Sequence, residues 1–155
     1  MKVLHLISGG DTGGAKTHVL NLLKELNQYI DAQLFCFRKG DFSEDAAKMG
    51  IPIEVIESGN PVVGLRELKR RLAGQKVDII HCHGARGNLM GNLIKKHLGA
   101  PVVTTVHSDY RLDYLGRPFS RLTYGTINTI ALRKLNYRIG VSDALAVSYT
   151  HLTLP

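Results

Sequence analysis

Two groups of residues have types and spacing suited to chemistry. The first is the glycine-rich stretch Ser8-Gly9-Gly10-Asp11-Thr12-Gly13-Gly14-Ala15-Lys16-Thr17-His18, whose paired glycines could bring backbone N–H groups against a phosphate. The second is a set of histidines, His81, His83 and His107, with Ser108 and Asp109 directly after the last. An imidazole can move a proton, ligate a metal, or hydrogen-bond a phosphate or a sugar hydroxyl.

The glycine stretch admits four readings. A dinucleotide fingerprint needs G-x-G-x-x-G and then an acidic residue at the end of the second strand. Here Ser8 stands in place of the first glycine and the second strand ends at Phe37-Arg38, although an arginine could meet a 2′-phosphate. A P-loop needs its lysine directly after the last glycine. Ala15 intervenes between Gly14 and Lys16 and rotates the lysine away, since a helix has roughly 3.6 residues per turn. The third reading uses backbone alone: Gly13 and Gly14 open a helix whose N-terminus favours negative charge and needs no lysine. In the fourth, the glycines only turn the chain tightly.

Among the histidines, strand alternation puts His81 and His83 on one face and Cys82 on the other. A metal would need a third ligand and a supporting shell that the sequence does not reveal, so no metal is expected. His81 reads as a buried, hydrogen-bonded residue and His83 as one that exits, beside Gly84, into a cleft. His107 with Ser108 and Asp109 forms a polar cluster able to meet a ligand, and bracing of the loop by Ser108 and Asp109 is the plainer alternative. His18 either faces the same site or packs.

These residues need a frame, and the apolar runs supply one. Strands are expected over 2–7, 32–37, 51–56, 77–81, 102–106 and 137–141, with helices from Gly14 to Leu26 and over 42–49, 62–73, 88–98 and 119–135. Nearly continuous apolar strands alternating with helices predict an α/β domain, a doubly wound parallel sheet of Rossmann-like type. Ligands of such sheets lie outside the carboxyl ends of the strands. The glycine stretch, His83-Gly84, His107-Ser108-Asp109 and Ser142-Asp143 all follow strands.

Composition narrows the partners. The 155 residues carry a formal charge of +7, which fits an anionic partner or a solvated basic face equally. Six per cent aromatics and no tryptophan make the interleaved stacking residues of a single-strand binder scarce, so no nucleic acid is expected. Cys36 and Cys82 lie in apolar runs as small buried hydrophobes, without a disulfide framework. The N-terminal MKVLHLIS reads as a strand and not as a signal peptide, no run reaches the length of a membrane span, and a cytoplasmic location is expected.

Taken in order, KVLHLI with SGGDTGGAKTHVLNLLKEL, then DIIHCHG at Asp78 to Gly84, VVTTVHS at Val102 to Ser108 and IGVSD at Ile139 to Asp143 resemble the N-terminal, acceptor-side domain of the family-four glycosyltransferases with the GT-B fold. Residues 1–146 match that domain. The resemblance implies half of a two-domain GT-B enzyme, in which a retaining reaction moves a sugar from a nucleotide diphosphate sugar to a glycan or lipid-linked acceptor. It places Gly13 and Gly14 by the donor diphosphate, His107 by the transferred sugar, His83 and Gly84 in the cleft wall, and Ser142 at the start of the next loop. His18, Ser108 and Asp109 are expected near the same ligand.

No cofactor is implied beyond the donor substrate, and no general base is expected in this chain. The C-terminal domain that would bind most of the nucleotide sugar is not in the sequence, so the chain alone is expected to be inactive. Residues 147–155, VSYTHLTLP, resemble translated sequencing-adapter read-through and are expected to be a non-native tail. Basic residues of the third helix, with Arg111, Arg117 and Arg121, are compatible with peripheral contact at the inner face of a membrane, as in cell-envelope or exopolysaccharide synthesis. The competing functions are an NAD(P)-dependent oxidoreductase, a stand-alone nucleotide- or carbohydrate-binding module, and a nucleotide-sugar epimerase.

Overall fold

The β-branched and aliphatic run after Met1 forms β1 (Lys2–Ile7), buried from Val3 to Ile7, and it becomes an inner strand of a six-stranded sheet. The computed structural model describes residues 1–107 and 126–141. Its elements alternate as β1, α1 (Gly13–Leu26), β2 (Asp31–Cys36), α2 (Asp41–Lys48), β3 (Ile53–Val55), α3 (Pro61–Arg71), β4 (Ile79–His83), α4 (Gly84–Leu98), β5 (Val102–Val106), α5 (Thr126–Arg133) and β6 (Tyr137–Gly140). Every strand pair is parallel, in the order β3-β2-β1-β4-β5-β6. The order reverses between β1 and β4, which makes the carboxyl ends of those two strands the switch point where ligands of this fold bind.

Alternation divides the strands between two cores. Leu4, Leu6, Ile80 and Cys82 point toward α3 and α4, where Leu68, Leu72, Met90 and Ile94 meet them, with Leu132 from α5 alongside. Ile7, Leu34 and Cys36 point the other way, against Val19, Leu20 and Leu23 of α1 and Phe42 and Ala46 of α2. Both cysteines are free and buried.

Local signals fix the helix boundaries. Asn60 caps α3 by accepting from Val62 N–H at 2.8 Å, with Pro61 in the first turn, the pairing of an Asx cap with a residue that has no N–H to satisfy. Gly99, at φ +65°, ends α4 in the left-handed region, as glycine commonly does.

The expected strand over 51–56 is shorter, Ile53–Val55, and the largest difference from the sequence reading lies at β4 and α4. The expected strand over 77–81 runs instead over Ile79–His83, and the helix expected from Asn88 starts at Gly84. Pairing with β5 in the register His81↔Val103 and His83↔Thr105 extends the strand by two residues. Gly84, at φ +68°, then turns directly into the helix. Close packing of α4 on the sheet depends on glycine: a Cβ at Gly87 would lie 2.4 Å from the Leu6 carbonyl oxygen, and one at Gly91 would lie 2.3 Å from Cys82 Sγ.

Candidate functional site

At the switch point two helices begin without caps. Thr12 precedes α1 with extended backbone and makes no side-chain cap bond, and His83 does the same before α4. Neither helix carries an acidic residue in its first turn. Their first N–H groups therefore have no intrahelical acceptor and the positive ends of both dipoles face the same sheet edge, a disposition suited to an anion. Gly13 adopts φ +61°, and a Cβ at Gly13 or Gly14 would meet nothing within 4 Å, so the approach to these amides is open.

The rest of the turn has other engagements. Asp11 accepts from Gly9 N–H at 3.2 Å, and burial pushes its carboxyl pKa up against the pull of that bond and of its own backbone N–H. A carboxylate already occupying the first amide of the turn opposes a pyrophosphate there, which disfavours the dinucleotide reading. Lys16 is drawn toward α2, 2.5 Å from Asp45 and 3.3 Å from the Asp41 carbonyl. It does not point into the turn, which disfavours the P-loop.

Beside this turn runs a string of imidazoles. His5 pairs with His81 across β1 and β4, and His83 follows two residues on along the same face. The His5 and His83 rings stack at 9° with Nδ1 of one 3.1 Å from Nε2 of the other. His81 Nε2 meets Thr105 Oγ1 at 2.7 Å. Outward from His83, the ring of His107 lies 5.8 Å away, and that of His18 on α1 a further 5.1 Å from His107.

Burial sets the charge state of this string. It lowers the pKa of His5 to about 3, with His81 adding to the effect, and that of His81 to about 4, with His107 and His18 adding. It lowers His83 well below the ordinary value, with the other four histidines contributing. His107 is lowered first by burial and then by His18. The inner rings are thus neutral at pH 7, each able to donate through one nitrogen and accept through the other. His107 Nε2, His5 Nε2 and His83 Nδ1 are buried without a partner among the described residues.

The sequence reading misses His5, the third imidazole, because only the β1–β4 register shows that it stands beside His81. Together His5, His81 and His83 have nitrogens within 4.8 Å of one another, whereas two ligands on one tetrahedral zinc with bonds of about 2.1 Å stand about 3.4 Å apart. In the structure the trio is joined by a direct hydrogen bond between two of its rings.

His83 does not line an open wall as expected: it is 1% exposed, because β4 continues through it and its side chain turns into the layer beneath α1. Gly84 is exposed and a Cβ there would lie 3.7 Å from Asp11 Oδ1, so it does border the glycine turn. Gly13, Gly14, His18 and His107 gather at the same edge. Ser108, Asp109 and Ser142, with Arg111, Arg117 and Arg121, lie outside the described residues. The basic helix α3 is partly self-neutralised: Glu67 holds Arg70 and Arg71, and Glu54 also holds Arg71.

The chain matches the family model described as Glycosyltransferase Family 4 over residues 12–154. No curated protein matches it. Among solved structures, HepE of Anabaena in complex with UDP-glucose superimposes with a TM-score of 0.76 at 17% identity, covering 98% of this chain and 40% of that one. The lipopolysaccharide outer core galactosyltransferase WaaB, in its apo form, gives 0.73 at 16% identity, covering 100% and 43%. MurG of Acinetobacter baumannii gives 0.64 at 19% identity, covering 94% and 42%. The chain spans about two fifths of the length of these proteins, and at such identities the likeness is one of fold.

Proposed function

Because the chain belongs to glycosyltransferase family 4, we propose that it forms the acceptor-side half of a retaining enzyme that transfers a hexose from a nucleotide diphosphate sugar to a glycan or lipid-linked acceptor. The observation that carries this reading is the uncapped start of α1 at Gly13 and Gly14, open to solvent at the switch point between β1 and β4.

In this reading the bond from the anomeric carbon to the diphosphate breaks, and negative charge gathers on the leaving phosphate. Backbone N–H groups of Gly13 and Gly14, fixed before the reaction, stabilise that charge more in the transition state than in the ground state. His107, neutral and with Nε2 unpaired among the described residues, hydrogen-bonds the transferred sugar. The acceptor hydroxyl gives its proton to the departing phosphate, so no side chain of this half serves as general base. His83 supports His107 from beneath; Ser108, Asp109 and Ser142, outside the described residues, are assigned to substrate binding by the family resemblance alone. No metal held by the protein and no cofactor enters the scheme.

The second domain holds most of the nucleotide sugar, and this half alone turns nothing over. The UDP and UDP-glucose complexes of HepE make UDP-glucose the first donor to test. No helix among the described residues is long and apolar enough to cross a membrane. A lipid-linked acceptor would be met at the inner face of a membrane, in cell-envelope or exopolysaccharide synthesis. An oxidoreductase reading lacks support from the turn, where Asp11 takes the Gly9 amide.

The test is donor turnover by the parent protein that includes the second domain. UDP release from UDP-glucose in the presence of acceptor, with the product's anomeric configuration matching the donor's by NMR, is the expected result. Inverted configuration would remove the retaining mechanism. Tight NAD(H) or NADP(H) binding without sugar transfer would replace the whole reading.

A further inference from the structure

We propose that a second pocket of this half binds a phosphate ester carried by the acceptor; the proposal rests on the glycosyl-transfer reading above and names the acceptor's chemistry. The pocket, about 440 Å³, opens at the carboxyl ends of three strands. Ser8 enters it from the end of β1, Arg38 and Lys39 from the end of β2, Glu57 from the end of β3, and Arg86 from the first turn of α4, over the buried ring of Phe37.

Three cations thus face one carboxylate. Arg86 is fixed in place: its two terminal nitrogens donate to the carbonyls of Ser58 and Gly59, and its guanidinium carbon lies 5.3 Å from the Phe37 ring centroid. Its Nε is buried and has no partner among the described residues, leaving a rigid donor group incompletely used. Arg38 is held at its backbone, where Cys36 Sγ lies 3.4 Å from its carbonyl and the Phe37 N–H donates to Ser8 at 3.1 Å. Its side chain reaches over Gly10, with Nη1 3.3 Å from where a Cβ would stand. The group therefore adjoins the glycine turn.

The guanidinium fork of Arg38 and the ammonium of Lys39, with the fixed charge of Arg86 behind them, recognise a phosphate better than they recognise a neutral sugar. Glu57 cannot face that phosphate, but it can accept from a sugar hydroxyl, as Ser8 and Ser58 can. This polarity orients a monosaccharide phosphate with its ester toward Arg38 and Arg86. The volume lies in the range of small-ligand sites, roughly 300–1,000 Å³. The phosphate could belong to a soluble sugar phosphate or to a lipid-linked one, and the two sources are separated by experiment.

Calorimetric titration of the 155-residue chain with glucose 6-phosphate, with glucose as control, is the first arm. The ester is expected to bind about tenfold or more tightly than glucose, and the exposed substitutions Arg38→Gln and Lys39→Gln together to remove that preference. Arg86→Gln would also loosen Ser58 and Gly59, so thermal melting accompanies each variant and the Arg38/Lys39 pair carries the test. In the second arm, vesicles of phosphatidylglycerol in phosphatidylcholine replace the sugar phosphate. Binding to them that disappears in the same double variant assigns the site to a lipid phosphate.

Equal, weak binding of ester and glucose with no vesicle binding would overturn the proposal. So would ester binding that survives the double variant and vanishes with Gly14→Asp, which would place the phosphate at the start of α1. A parent protein that binds the ester through Arg38 and Lys39 yet releases no UDP from any donor would sink the transfer reading while leaving this site standing.

Discussion

Nδ1 of His5 lies 3.1 Å from Nε2 of His83, with both side chains sealed from solvent at 0% and 1% exposure. One N–H bridges the two rings, and protonating either ring beyond its neutral form would put a charge into a buried layer. Folding therefore favours neutral rings, with pKa values pushed down to about 3 for His5 and about 4 for His81, and well below the ordinary value for His83.

Acid sensitivity follows from that arrangement. The unfolded chain takes up protons near pH 6.5 and the folded one does not, so it holds more protons below that pH and stability falls as pH drops. The contribution is complete above about pH 7 and is lost from there toward the folded pKa values, at up to ~1.4 kcal/mol per pH unit for each proton. Urea midpoints measured from pH 7.5 to 4.5 should decline with a slope of more than one proton, and His5→Leu should flatten it. A midpoint independent of pH across that range would show that these rings are charged or solvated in the folded chain.

The close approach of α4 to the sheet gives a second prediction. Gly91→Ala sets a Cβ against Cys82 Sγ and 3.2 Å from Val102 Cγ1, an overpacking of about 1–3 kcal/mol set against a helix-propensity gain of about 1 kcal/mol. Cys82→Ala removes the opposing sulfur. The double variant should be more stable than the sum of the single changes by about 1 kcal/mol or more in a denaturation cycle. Additive single effects would mean that α4 shifts away from β4 instead. Gly87→Ala has no such rescue, because its obstacle is the Leu6 backbone carbonyl.

Much of this frame is legible in the sequence, since runs such as KVLHLI and VVTTV, bounded by glycine or proline, read as buried parallel strands and gave the doubly wound sheet directly. The end of β4 was not. His81-Cys82-His83 looks like a polar exit from a strand, and only pairing of His83 with Thr105 shows that the strand continues. That same extension turns His83 inward and makes His5 its partner. The Arg38 and Arg86 pocket was hidden for a related reason: residues far apart in sequence converge only once β2, β3 and α4 are placed. By contrast, the helix start at Gly13 and Gly14 was readable, because a glycine turn directly after β1 is a local feature.

A carboxylate placed at that helix start separates stability from donor binding. Gly14→Asp has open space and supplies the acidic residue that the first turn of α1 lacks, which should raise stability by roughly 0.3–1 kcal/mol. The same charge repels a donor diphosphate at the Gly13 and Gly14 amides. In the parent protein, the KM for the nucleotide sugar should rise at least severalfold while the melting temperature increases. An unchanged KM would remove the diphosphate from this turn.

His107 stands where the string of imidazoles reaches the carboxyl end of β5, 5.8 Å from His83 and 5.1 Å from His18 between ring centroids. Its Nε2 has no partner among the described residues, so a hydrogen bond with a bound sugar hydroxyl, or one donated to a phosphate oxygen, would satisfy an atom that otherwise stays costly to bury. If that bond strengthens as charge develops, His107→Ala in the parent protein should lower kcat by roughly 100-fold with little change in donor KM. His107→Gln, which keeps an amide near the same place, should recover part of the rate. His18→Ala, which removes only the exposed outer ring, should cost far less than His107→Ala. Equal losses from His18→Ala and His107→Ala, or a rise in KM with kcat intact, would show that His107 holds the loop or the substrate and takes no part in the transition state.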